Sequence, residues 1–64
     1  MYKVTAYDCC GEFDWVELPT FADVPAAVRE MQSRYPHKVV QVANLDRCDY
    51  DTNGLTEDER EALS

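Results

Sequence analysis

Apolar positions recur with two different periods along this chain. From Tyr2 to Asp8 they alternate: Tyr2, Val4 and Ala6 fall on one side, Lys3, Thr5 and Tyr7 on the other. A period of two is strand geometry, so residues 2–8 are expected to form a strand. Phe13 to Leu18 alternates as well, with Phe13 and Trp15 sharing one face and Asp14, Val16 and Leu18 the other. Between these runs, Cys9-Cys10-Gly11-Glu12 is a turn, since Gly11 takes a positive φ at no steric cost. So short a connection predicts an antiparallel hairpin. Pro19 and Thr20 end the second strand.

The period then lengthens. Val24, Ala27, Val28, Met31 and Tyr35 follow one another at helical spacing, while Arg29, Glu30, Ser33 and Arg34 fall away from that stripe. This predicts an amphipathic helix over 23–35, the element around which the core is organised. Asp23 is the expected N-cap, its carboxylate accepting from the free N–H groups of the first turn. Pro25 sits in that turn, where a missing N–H costs little. Pro36 forbids continuation and pushes Tyr35 out of helical geometry.

Lys38 to Leu45 is rich in β-branched residues and predicts a third strand. Its apolar content on both faces places it at the centre of the sheet. Asn53-Gly54 is a turn signal. Thr56 and Glu59 have the spacing of a capping box, so a short helix is expected from about Glu57 to Leu63. The order is β-β-α-β-α. The fold class is α+β: one domain over 1–64, a three-stranded, at least partly antiparallel sheet, one main helix packed on it and a short C-terminal helix.

Composition narrows the function. With 64 residues, 45% of them hydrophobic, Trp15, four tyrosines and two phenylalanines, the chain is globular. A core this small supplies roughly 3–5 kcal/mol and leaves little room for a deep catalytic pocket, so a non-enzymatic protein is expected. Nothing at the N-terminus resembles a signal peptide, and no run approaches the ~18 apolar residues of a membrane span. The expected location is therefore the cytoplasm, where thiols stay reduced.

Charge changes the picture most. Thirteen acidic residues face six basic ones, a net charge of −7. Residues 1–23 carry −4, residues 24–45 carry +2 and residues 46–64 carry −5. Direct nucleic-acid binding relies on Lys and Arg to neutralise phosphates, so it is disfavoured, as is an anionic membrane surface. The balance fits a partner with a basic surface. Part of the C-terminal acidity is structural, because Glu57, Asp58 and Glu59 suit the positive end of a helix. The rest is either a solubilising face or an imitation of a phosphate backbone. The candidate contacts are Asp14, Glu17, Asp46, Asp49, Asp51, Glu57, Asp58 and Glu59. Aromatic residues add to this surface: Tyr2 with Phe13 and Trp15, or Tyr7 with its neighbours, is expected to stay partly exposed.

In its size, its acidity and its clusters Asp46-Arg47-Cys48-Asp49-Tyr50-Asp51 and Glu57-Asp58-Glu59, the chain resembles the small phage-encoded anti-CRISPR inhibitors. That resemblance implies an inhibitor of a nucleic-acid-handling partner, such as a Cas effector subunit, that excludes target DNA in the host bacterial cytoplasm. It assigns no individual residue. A monomer is expected.

Two other patterns carry chemistry. Asp49-Tyr50-Asp51-Thr52-Asn53-Gly54 matches the first half of an EF-hand loop, with Asp49, Asp51 and Asn53 as oxygen ligands and Gly54 at the sharp turn. The second half departs: the position of the bidentate Glu is Arg60, and a strand precedes the loop. A calcium-binding module is thus an alternative, and it predicts a melting temperature that rises with calcium. A small accessory subunit assembling through an open sheet edge is another. The cysteines are a neighbouring pair, Cys9-Cys10, and a single Cys48. They lack C-x-x-C spacing, and a site combining them with His37 needs unusual geometry. They are expected to be reduced, one or two of them buried. His37 lies at the helix–strand junction with no triad in view.

Overall fold

Alternation in the first eighteen residues does produce a hairpin. In a computed structural model describing residues 1–47 and 51–64, β1 (Tyr2–Asp8) turns through Cys9 and Cys10 into β2 (Gly11–Leu18). Gly11 adopts φ +117°, a conformation that glycine alone adopts cheaply. A single 3-10 turn (Phe21–Asp23) leads into α1 (Val24–Arg34), followed by β3 (Val39–Asn44) and α2 (Glu57–Ala62). Expectations placed on Cys48, Asp49 and Tyr50 lie outside the described residues.

The sheet is antiparallel throughout, in the order β2-β1-β3. β1, not β3, is central, which corrects the expectation from the sequence. The hairpin leaves one edge of β1 free, and α1 carries the chain back to that edge. The two faces of β1 confirm the placement: Val4 and Ala6 are fully buried and Thr5 is 3% exposed. At the edge, by contrast, Val39 is 60% exposed. β-branched residues mark a strand without stating its rank.

One helix face meets one sheet face. Val24 and Met31 of α1 pack with Val4 and Ala6 of β1, Val42 of β3 and Leu55. Tyr2, Leu18, Ala27, Val28 and Leu63 close around them. α1 lies over β1 and β3. Tyr35 leaves the helix at φ −129°, ψ 71°, as the following proline demands. Asp23 does not cap α1 with its side chain. It is itself in the right-handed helical region, closing the 3-10 turn in which the Val24 N–H already reaches Phe21 O.

β2 contains a bulge. Ala6 faces Asp14 and Tyr7 faces Glu12, so Phe13 has no opposite residue. The extra residue separates the two aromatics expected to share a face. Phe13 packs edge-on against Tyr35 at 5.1 Å, beneath the Lys38 ammonium, while Trp15 lies beside Lys3. Both stay about half exposed.

α2 begins as its capping box predicts: Thr56 Oγ1 accepts from the Glu59 N–H at 3.2 Å, and Glu59 Oε1 accepts from the Thr56 N–H at 2.9 Å. Ahead of it, the Asn44 N–H on the outer edge of β3 donates to Asn53 O at 2.8 Å. Among the described residues no helix is long and apolar enough to cross a membrane.

Candidate acidic interface

Strand register divides the molecule into two poles. At one, Tyr2 lies between Leu18 of β2 and Asn44 of β3. Phe21 packs edge-on against Tyr2 at 5.5 Å, which brings the start of α1 there, and the Tyr2 hydroxyl donates to Glu59, which brings α2. At the other are the β1–β2 turn, the end of α1 and the start of β3.

Carboxylates at the turn pole are paired. Asp8 Oδ2 is 3.9 Å from Lys38 Nζ, and Glu12 Oε1 is 3.0 Å from Lys3 Nζ. Glu30 takes Arg34 at 2.7 Å. Asp14 accepts the Tyr35 hydroxyl at 2.8 Å and lies 4.0 Å from Arg34, tying β2 to the end of α1. That hydrogen bond, with burial second, raises the Tyr35 pKa above the ordinary tyrosine value. Asp14 is thus half-buried and structurally engaged.

The Tyr2 pole differs. Glu17 faces Lys3 in register, yet Lys3 leans towards Glu12 instead. Glu17, Asp23, Glu57 and Asp58 are exposed and have no hydrogen-bond or ion-pair partner for their side chains among the described residues. Asp46 receives the terminal ammonium of Met1 at 2.5 Å. Glu59 is half-buried and committed: the Thr56 N–H and then the Tyr2 hydroxyl stabilise its carboxylate and hold its pKa below the ordinary glutamate value. The same contact raises the Tyr2 pKa, with burial adding to it. Arg47 is the cation close enough to influence both.

Of the eight candidates, Glu17, Asp46, Glu57, Asp58 and Glu59 gather at this pole. Asp14 belongs to the other one. Asp51 is exposed and lines a groove of about 430 Å³ between β3 and α2 with Arg60 and Leu63. Asp49 lies outside the described residues. Asp23, whose position before a helix suggests a capping role, is an additional exposed carboxylate at this pole. Phe21, an apolar residue just ahead of it, was the available signal that this turn folds back onto the sheet.

A second groove of about 470 Å³ runs between β2 and α1, floored by Val16, Leu18 and Met31 and rimmed by Asp14, Asp23 and Glu30. It exists because α1 is centred on β1 and β3, leaving the β2 edge uncovered. In the calcium-like pattern, Asn53 and Gly54 both take positive φ. Gly54 has a packing reason: a Cβ there would lie 2.7 Å from Asn44 O.

These features define a small acidic α+β protein with an antiparallel bulged sheet and, at one end, exposed carboxylates that have no partner among the described residues. No family model, curated protein or solved structure matches the chain.

Proposed function

We propose that the protein is a non-enzymatic inhibitor that binds a basic, nucleic-acid-handling protein through its Tyr2 pole and keeps nucleic acid out. The observation that carries this reading is the unequal pairing of carboxylates. Glu17, Asp23, Glu57 and Asp58 are exposed at one pole with no side-chain partner among the described residues, while Asp8, Glu12, Asp14 and Glu30 are engaged. Exposed carboxylates on separate elements offer negative charge of the kind that a phosphate backbone offers to Lys and Arg. A lysine- or arginine-lined channel accepts either. The likeness in size and acidity to anti-CRISPR proteins makes a Cas effector subunit the first partner to try, with the bacterial cytoplasm as the place of action.

Capture from bacterial lysate at low and high salt tests the proposal, using the native chain beside the variant E17Q/E57Q/D58N. The native chain should retain a nucleic-acid-binding protein at low salt and release it at high salt. The variant should retain at least about tenfold less, since each lost ion pair removes part of a salt-dependent attraction. The captured protein should lose its nucleic acid as the native chain is added. A partner held equally by both chains at high salt would sink the reading.

A further inference from the structure

We propose that the β1–β2 turn is a binding site for one thiophilic, tetrahedral divalent cation of the zinc and cadmium class. Its ligands are Cys9 Sγ, Cys10 Sγ and the Asp8 carboxylate. This site is at the opposite pole from the acidic interface and does not depend on the function proposed above.

Geometry carries the argument. Cys9 and Cys10 are both free and exposed, so neither of them is a buried cysteine, and Cys48 lies outside the described residues. Their sulfurs are 3.7 Å apart. A tetrahedral zinc ion with Zn–S bonds of about 2.3 Å places two thiolates about 3.8 Å apart, so this pair already has the required bite. A carboxylate oxygen of Asp8 lies within 4.8 Å of both sulfurs. Among the described residues this is the one group of three His, Cys, Asp or Glu ligand atoms so closely gathered.

The turn holds these groups in place. The Cys10 N–H donates to Asp8 Oδ1 at 2.8 Å, fixing the carboxylate relative to the second thiol. Asp8 pairs with Gly11 in the ladder, and the φ of +117° at Gly11 closes the turn without strain. Little further ordering is needed when an ion enters. Two thiolates and one carboxylate select zinc or cadmium over calcium or magnesium, which prefer oxygen alone. The fourth position stays open to water or to a donor from another molecule. Lys38 Nζ, 3.9 Å from Asp8 Oδ2, competes with the ion for that carboxylate.

The test is a cadmium titration of the fully reduced protein, followed by the thiolate-to-cadmium charge-transfer absorption in the ultraviolet, with zinc competition giving the zinc affinity. The native chain and C48S should each bind one equivalent. The C9S/C10S variant should show no charge-transfer band, with circular dichroism confirming that its fold is intact. D8N should bind about tenfold more weakly, the scale on which ligand-sphere changes act. K38M should bind more tightly. Absence of the band in the native chain overturns the proposal, as does its loss in C48S or its survival in C9S/C10S. Unchanged affinity in D8N overturns the three-ligand site.

Discussion

Glu59 serves two elements with one carboxylate. Oε1 accepts the Thr56 N–H at the start of α2, and Oε2 accepts the Tyr2 hydroxyl from the central strand. Both contacts favour the charged form and lower its folded-state pKa. A depressed carboxyl pKa contributes stability that is fully present above the ordinary glutamate value of about 4.3 and is lost as pH falls below it towards the folded value. Urea midpoints should therefore drop through that window in the native chain and drop less in E59Q. At alkaline pH, Tyr2 and Tyr35 should ionise above the ordinary tyrosine value, and Y2F should remove one late-titrating group from the phenolate absorbance. The Thr56–Glu59 half of this contact was legible from four adjacent residues. The Tyr2 half was not, because the partners are 57 positions apart and nothing local encodes their meeting. Gly54 is similar: Asn53-Gly54 announced a turn, but the close approach to Asn44 O depends on the path of β3. G54A should cost more than about 1 kcal/mol, since positive φ and a backbone clash act together.

At the scale of elements, period located β1, β2 and α1, β-branched content located β3 and the capping box located α2, whereas the 3-10 turn at Phe21–Asp23 had no such signal; period failed where adjacency decides. Helical spacing located the stripe from Val24 to Tyr35, and Met31 of that stripe is buried against the sheet. M31A should cost about 2–5 kcal/mol. A domain of this size holds roughly 3–5 kcal/mol in all, so an equilibrium urea titration should find much of the variant unfolded in buffer. The rank of the strands was not legible. Both β1 and β3 are apolar enough to be central, and the choice rests on pairings such as Tyr2 with Asn44. The bulge at Phe13 was hidden too, because alternation continues across it in the sequence while the register slips by one.

For the molecule as a whole, the count of acidic residues was legible and their pairing was not. Lys3 is opposite Glu17 in register but bridges to Glu12, and that choice of partner frees Glu17. In a chain of net charge −7, the exposed carboxylates of Glu17, Asp23, Glu57 and Asp58 at one pole repel one another. Raising salt from low to physiological strength should screen that repulsion and raise the melting temperature. The rise should be smaller in E17Q/E57Q/D58N. Equal rises in both chains would mean that the strain is spread over the surface and not gathered at the Tyr2 pole.

The central position of β1 has a kinetic consequence. Its pairing with β2 is local, closed by the two-residue turn at Cys9 and Cys10, whereas its pairing with β3 joins Tyr7 to Val39 and Tyr2 to Asn44 across most of the chain. Loop closure must be paid in entropy before such distant contacts return anything. The hairpin is thus the natural nucleus, with β3 and α2 docking after the barrier. In stopped-flow refolding, T5A in the hairpin should slow folding, while V42A in β3 should chiefly speed unfolding.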